Sequence, residues 1–264
     1  MPAYFERIDA SAFRPTSAVE GAWSTEEQHI APSLGLIAHA IETEHAERRG
    51  RDLQLGRISY DILGTIPIER VDLDIRILRP GRTIELVEAV LSHEGRAAVI
   101  ARAWLMQVAD TAALAGSSLP AMPGRHELEP WSAGEIWQGR HVRTVDMHRR
   151  QVEPGRAWAW LRPQLPLLEG EEISPTARLL GLVDIANGLT PRMAPAEVAF
   201  PNVDLTCHLV AVPTGEWIGF DTTVTVGPAG LGLTDTVLHD DRGADGVVPL
   251  GTVQQILTVR PIRG

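Results

Sequence analysis

The chain has 264 residues, of which 24 are basic and 34 acidic, giving a formal net charge of −10. This balance, with no Arg-rich runs between aromatic residues, argues against nucleic acid as a partner. Apolar residues make up 44% of the sequence, which predicts a globular core. Neither a long apolar run nor a signal-like segment in Met1–Phe13 is present, so we expect no membrane partner and no export.

The first half of the sequence predicts one helix followed by an antiparallel meander. Apolar residues at helical spacing predict a helix from Thr25 to Arg48 that ends at Gly50. Alternating runs rich in Ile, Val and Leu then predict four strands, separated by turns at Pro80-Gly81 and His93-Glu94-Gly95. The predicted strands are Arg57–Leu63, Val71–Leu78, Thr83–Ser92 and Ala97–Gln107.

The second half repeats this order after a stretch rich in Ala, Gly, Ser and Pro. That stretch, from Asp110 to about Glu129, predicts a connector. Ser174–Leu189 predicts an apolar helix, with Ser174 as N-cap and Pro175 as the first helical residue. The predicted strands of this half are Arg156–Arg162, Val203–Val210, Glu216–Val226, Leu231–His239 and Val247–Val259.

The repeated order indicates a duplicated unit. Val71-Asp-Leu-Asp-Ile-Arg-Ile-Leu in the first half also has a local echo in Val203-Asp-Leu-Thr-Cys-His-Leu-Val of the second. Helices do not alternate with strands, so parallel α/β folds are disfavoured. We predict an α+β fold of two antiparallel sheets, each wrapped around a central helix. The expected units are residues 1–109 and 136–264, joined by a linker at 110–135.

Four segments in sequence resemble the acyl-CoA thioesterase II family, in its bacterial branch. One lies on the predicted second helix, one on the strand after it, one in a first-half hairpin and one in the last strand. These are Leu180-Gly-Leu-Val-Asp-Ile-Ala-Asn-Gly188, Phe200-Pro-Asn-Val-Asp-Leu-Thr-Cys-His-Leu209 with Gly215-Glu-Trp217, Leu78-Arg-Pro-Gly-Arg-Thr-Ile-Glu-Leu-Val-Glu88 and Gly251-Thr-Val-Gln254. The resemblance implies a double hotdog fold and thioester hydrolysis.

Carried over by position, the resemblance implies a catalytic set of Asp184, Asn202 and Gln254. Asn202 stands where the family has a catalytic Thr. Asp184 would act as general base or fix the attacking water, and the two amides would position that water or the carbonyl. Alternatively, the two side-chain amides only form hydrogen bonds at strand ends. For Asp184, the alternative is that its carboxylate only accepts hydrogen bonds from amides of neighbouring strands.

The resemblance also implies an oxyanion and substrate-binding region at the start of the first helix. Relatives often carry His-Gly-Gly-Pro there, whereas this chain has His29-Ile30-Ala31-Pro32, which narrows the approach to the backbone. Backbone N–H groups of Ile30–Ser33 would stabilise the oxyanion, with Ser33 part of the same turn. A surface position is the favoured interpretation of His29.

The remaining polar residues have plainer interpretations. Asn187 supports Asp184 or ends its helix with Gly188, and the second is favoured. His39, Glu42 and His45 share one helical side without the His-Glu-x-x-His pattern, so we expect a solvated face and no metal site. Three tryptophans are expected to fill core or dimer surfaces, which leaves a homo-oligomer open: Trp158, Trp160 and Trp217.

The sequence therefore predicts a hydrolase of acyl-CoA or another acyl thioester that acts in lipid metabolism without a cofactor. The single Cys207 fits a reducing, cytoplasmic location. Hydration of enoyl thioesters falls behind, because no His follows Asp184 within about five residues. The alternative from another class is a non-catalytic acyl-thioester or lipid-binding hotdog protein, favoured by Ile30 and Ala31.

Overall fold

The computed structural model describes residues 2–50, 52–243 and 246–262. Its helices are α1 (Ile30–Arg49), α2 (Pro175–Leu180) and α3 (Ala186–Leu189). Its strands are β1 (Phe5–Arg7), β2 (Ala12–Pro15), β3 (Leu53–Ile62), β4 (Val71–Arg79), β5 (Ile84–His93), β6 (Arg96–Gln107), β7 (Glu129–Trp131), β8 (Val145–Glu153), β9 (Arg156–Pro163), β10 (Val198–Ala199), β11 (Asp204–Leu209), β12 (Ile218–Val226), β13 (Leu231–Asp241), β14 (Val247–Thr258) and β15 (Arg260–Pro261).

Thirteen of these strands form one antiparallel sheet, in the order β1-β2-β4-β5-β6-β3-β11-β14-β13-β12-β9-β8-β7. The order is mirrored about the β3–β11 pair. In the first half, β3 pairs with the last strand, β6, and β5 and β4 come next. In the second half, β11 pairs with the last long strand, β14, and β13 and β12 come next. The structure is thus mostly antiparallel sheet with a few helices, and the parallel α/β alternative is excluded for the described residues.

All nine predicted strands are present, with ends shifted by a few residues. The sequence missed β8, because only Val145 and Met147 give it an apolar alternation and its second half is exposed. It also missed the short strands β1, β2, β7, β10 and β15, which have two to four residues each. The local echo was also misleading. Val71 begins β4, whereas Val203 precedes β11, and the mirrored order makes β11 the counterpart of β3.

Helix α1 begins five residues later than predicted. The backbone of Glu27 and Gln28 is extended there and pairs with the segment around Pro67, and the Gln28 N–H donates to the Ile66 carbonyl. Because those backbone groups are already bonded, the helix starts at Ile30. It ends at Gly50, as predicted, where a φ of +76° suits a residue without a side chain.

The predicted continuous helix over Ser174–Leu189 is wrong. Ser174 does cap α2, its Oγ accepting from the Ala177 N–H at 3.0 Å, with Pro175 as the first helical residue. The helix stops at Gly181, and a 3₁₀ turn over Val183–Ile185 precedes α3. Glycine has a weak helical preference, so a break there is physically reasonable.

The two halves touch where α1 crosses α2. A Cβ built at Gly35 would lie 2.8 Å from the Gly181 Cα and 2.9 Å from the Ala177 carbonyl oxygen. The helix backbones are therefore in direct contact, and only a glycine fits at position 35. Around this crossing the core is continuous, with Leu34, Leu36 and many strand residues fully buried.

The polar side of α1 was predicted to be solvated, and this is wrong. His39 and His45 are 7% and 3% exposed. His39 Nε2 lies 3.3 Å from Glu171 Oε2, and His45 Nε2 lies 2.9 Å from Asp52 Oδ1. Helix α1 is enclosed on several sides, so these two histidines are satisfied by hydrogen bonds to carboxylates instead of water.

We expect Gly35→Ala to lower the free energy of unfolding by about 1–3 kcal/mol, because the new methyl group meets backbone that must move. This net loss includes the roughly 1 kcal/mol that alanine gains over glycine in helix propensity, so the strain itself is about 2–4 kcal/mol. Urea denaturation would measure it. Gly116→Ala is the matched control, since a Cβ at Gly116 has no neighbour within 4 Å. An unchanged Gly35→Ala variant would contradict the close crossing.

Candidate active site

Asp184 lies on the 3₁₀ turn that follows the helix crossing, and only 8% of it is exposed. Its Oδ1 accepts two hydrogen bonds from side-chain amides. Asn202 Nδ2 donates at 2.7 Å and Gln255 Nε2 donates at 3.0 Å. With Oδ1 occupied, Oδ2 is the atom left for chemistry.

Burial raises the pKa of Asp184 from 3.8 to about 6, while the hydrogen bonds from Asn202 and Gln255 oppose that rise. At neutral pH the carboxylate is therefore ionised yet more basic than an ordinary aspartate. Such a group is suited to accept a proton from water.

Gln254 does not join this cluster, which corrects the predicted placement. Its side chain lies on the opposite face of β14, where Nε2 donates to Asp235 Oδ1 at 3.1 Å. Gln255 takes the expected position instead and is 1% exposed. The strand alternation carried a signal for this, because Gln255 shares its face with the buried Val253 and Leu257.

The amide of Asn202 is fully engaged in donating. Besides Asp184 Oδ1, its Nδ2 reaches the Asp204 carbonyl at 3.2 Å. Asn202 therefore fixes the orientation of the carboxylate, and its own oxygen is the group free to accept. The Gln255 oxygen is buried and accepts no hydrogen bond from the described residues.

His29 is not a surface residue, contrary to the sequence interpretation. Its side chain is 10% exposed, and Nδ1 lies 3.7 Å from Asp184 Oδ2. The same Nδ1 caps α1 by accepting from the Ala31 N–H at 3.2 Å. Burial lowers the pKa of His29 to about 4, so the ring is neutral at pH 7 and carries its proton on Nε2.

A second histidine, which the sequence analysis did not single out, packs against His29. His141 is fully buried, and its ring centroid lies 4.6 Å from that of His29. Neither ring nitrogen of His141 is bonded within the described part of the chain. Burial and the nearby His29 hold its pKa well below the usual value, so both rings are neutral.

The start of α1 is only partly available for an oxyanion. The Ala31 N–H is used by His29, and Pro32 has no N–H. Ser33 is fully buried, with Oγ 3.3 Å from Gln28 Oε1. Helical geometry leaves the first backbone N–H groups without intrahelical partners. Because the His29 N–H donates to the Val19 carbonyl, the Ile30 N–H is the one left to bind a ligand, and Ile30 lines the cavity.

Asn187 lies in α3 and does not touch Asp184 through a hydrogen bond. Its Nδ2 donates to the Phe200 carbonyl at 3.1 Å, and its Oδ1 accepts from Thr234 at 3.5 Å. It therefore anchors α3 to β13 and to the segment between β10 and β11. Its side chain remains beside the cavity that Asp184 lines.

Asp184 opens into a cavity of about 500 Å³ built from both halves of the chain. An aromatic cluster forms part of it, with Trp23 and Trp137 rings 4.9 Å apart and Phe200 packed against both. Trp137 Nε1 donates to the Gly188 carbonyl at 3.1 Å, which fixes its ring. The wall is mainly apolar, as is usual for a small-molecule site; it includes Ala22, Ile30, Ile62, Ile66, Val142 and Leu189.

Two absences hold for the described ranges 2–50, 52–243 and 246–262. No group of three or more His, Cys, Asp or Glu side chains is arranged to hold a metal ion. None of the helices has both the length and the apolar character needed to cross a bilayer.

Two family models match the chain in consecutive blocks. The acyl-CoA thioesterase N-terminal domain matches residues 19–106, and the acyl-CoA thioesterase C-terminal domain matches residues 116–259. The chain belongs to the acyl-CoA thioesterase family. Membership identifies this family protein as a thioester hydrolase. No curated protein sequence matches the chain.

Solved structures similar to this acyl-CoA thioesterase family member include one described as having the hotdog fold. A protein of Novosphingobium aromaticivorans, provisionally assigned as a thioesterase, has a TM-score of 0.72 at 16% identity, covering 100% of both chains. A hot dog fold protein of unknown function from Alicyclobacillus acidocaldarius has 0.75 at 13%, covering 97% of this chain and 96% of its own. Acyl-CoA thioesterase II TesB2 of Mycobacterium marinum has 0.66 at 13%, covering 98% and 96%.

We expect Asp184→Asn to stabilise the protein at pH 8 by about 2–3 kcal/mol. The folded-state pKa of about 6 lies above the unfolded value of 3.8. The wild type therefore loses stability as pH rises from about 4 to 6, and the uncharged variant does not. The Asn oxygen can keep both amide donors, and its NH₂ faces His29.

Urea denaturation of both proteins at pH 8 and pH 4.5 would measure this difference, which should shrink at the lower pH. Asp74→Asn, at an exposed position, is the control and should show little change. A variant less stable than the wild type at pH 8 would mean that the buried charge is net favourable.

Proposed function

We propose that the chain hydrolyses acyl-CoA or a related acyl thioester by water activated at Asp184. The observation that carries the proposal is the Asp184 carboxylate, which lines an apolar cavity and has one oxygen held by two amides. A base of raised pKa beside a space for an acyl chain fits attack on a thioester carbonyl.

In the proposed step, a water bonded to Asp184 Oδ2 attacks the carbonyl carbon and its proton passes to that oxygen. The C–S bond then breaks, and the departing sulfur takes the proton from Asp184 Oδ2 and leaves as a thiol, which returns Asp184 to its carboxylate. The free oxygen of Asn202, which lines the cavity, is an acceptor that can orient the water. Asn202 and Gln255 act chiefly by positioning Asp184.

Negative charge on the carbonyl oxygen would be stabilised by the Ile30 N–H at the positive end of α1. The neutral His29 beside Asp184 Oδ2 does not compete for the proton at pH 7, since its pKa is about 4. In this proposal, the start of α1 offers the oxyanion one backbone N–H donor, whereas the glycines of the relatives leave more of the backbone accessible there.

We further propose that the fold is a double hotdog, with each half wrapped around its own helical segment. The mirrored strand order supports this, as do the hotdog neighbours. The proposed units are residues 1–109 and 136–264. The linker at 110–135 contributes β7 to the sheet and the buried Met122 and Leu128 to a small separate cluster. Buried, unpaired Cys207 is consistent with a reducing cytoplasm.

Asp184→Asn should keep the fold and reduce hydrolysis of one acyl-CoA by about 10²–10⁴-fold. Steady-state rates with a thiol reagent would measure this. Asn202→Ala and Gln255→Ala should also lower kcat with little change in acyl-CoA affinity. Gln254→Ala is the matched control, because its side chain lies on the other face of β14, and it should retain wild-type rates.

Full activity in Asp184→Asn would refute the general-base role. A wild type that binds acyl-CoAs without hydrolysing any of them would favour the alternative of a binding protein, in which Ile30 blocks the approach to the helix start.

The pH dependence of kcat/KM provides a separate test. Asp184 must be ionised to act as a base, so we expect a plateau above about pH 7 and a fall of about tenfold per pH unit below pH 6. His29, whose pKa is about 4, should add no inflection between pH 5 and 8. A profile flat down to pH 5 would contradict the assignment.

A further inference from the structure

The cavity that contains Asp184 has a single fixed positive charge among its described lining residues. That charge is Arg260, and the fixed negative charges are Glu27 and Asp184. His29 also lines the cavity but is neutral at pH 7. The chain has a net charge of −10, so a positive side chain at an otherwise apolar and acidic cavity stands out as a local site that attracts anions.

Arg260 stands between this cavity and an outer groove. It lies on β15, which pairs with β10 so that Arg260 is opposite Ala199. Ala199 and Arg260 line the cavity, and the same two residues line a second groove together with Pro261 and Ile262. A molecule extending out of the cavity along this wall would pass the guanidinium group.

The guanidinium of Arg260 is also free to bind. It is exposed, and it forms no ion pair within residues 2–50, 52–243 and 246–262. Other arginines on the sheet are engaged: Arg162, for example, pairs with Asp146 and Glu216. Nothing in the described fold requires the charge of Arg260, which favours a role in binding.

We infer that Arg260 binds a phosphate of the carrier to which the acyl group is attached, an inference that rests on the proposed thioester hydrolysis. The reacting carbonyl would lie at Asp184, the acyl chain in the apolar cavity, and the pantetheine arm along the wall near Ala199. Guanidinium is a bidentate donor that matches phosphate geometry. The 4′-phosphate end of the pantetheine arm is the group that a coenzyme A thioester and a shorter phosphopantetheine thioester share.

The test compares three thioesters of one acyl group: acyl-CoA, acyl-4′-phosphopantetheine and acyl-pantetheine, which has no phosphate. For Arg260→Gln we expect kcat/KM for acyl-CoA to fall about 10-fold, mainly through KM. Hydrolysis of acyl-pantetheine should stay at the wild-type rate. The loss should also shrink in 0.5 M salt, as expected for an exposed charge–charge contact (Debye length about 10 Å at 0.1 M).

Arg82→Gln is the matched control. Arg82 is exposed and is absent from the cavity wall, so all three substrates should react as with the wild type. An equal loss on acyl-phosphopantetheine assigns the contact to the 4′-phosphate, and a loss on acyl-CoA alone assigns it to the nucleotide phosphates. Both results support phosphate binding.

Equal losses on all three thioesters, or no loss on either phosphorylated one, would overturn the inference. Its failure differs from failure of the proposed function, because hydrolysis of acyl-pantetheine by the wild type tests Asp184 chemistry without involving Arg260.

Discussion

Contact between the backbones of α1 and α2 is the constraint on which the candidate site depends. The absence of a side chain at Gly35 lets the helices cross at this distance. The crossing brings the start of α1, with His29, beside the turn that carries Asp184. A wider crossing would separate the helix N-terminus from the carboxylate, and the two halves would no longer contribute to one cavity.

Asp184 combines two effects that oppose each other. Burial makes the carboxylate costly and raises its pKa, while two amide donors on Oδ1 keep it from being protonated at neutral pH. The two halves of the chain differ at the position of this carboxylate. Aligning Leu34-Gly35-Leu36 with Leu180-Gly181-Leu182 places the fully buried Ala38 opposite Asp184. Helix α1 has no buried carboxylate within the described residues, so the helical segment of the first half carries no counterpart of Asp184.

The sequence predicted the strands well because alternation of apolar residues reports directly which face is buried. It failed where tertiary contacts decide the outcome. The start of α1 depends on pairing with the distant Ile66, and the break after α2 follows a glycine in contact with the other helix. Placement of the amide partner was off by one residue, because Gln254 and Gln255 are adjacent and chemically identical. Only the strand phase separates them.

The edges of the thirteen-stranded sheet bear on how the protein meets other chains. Each edge strand, β1 and β7, has three residues, and β7 contains Pro130. An unpaired edge is a template for aggregation, and nature commonly protects it by shortness or by proline, which cannot donate a backbone hydrogen bond. Extension of the sheet from one molecule into the next is therefore disfavoured at both ends, which guards a large β-protein against fibre-like growth in a crowded solution.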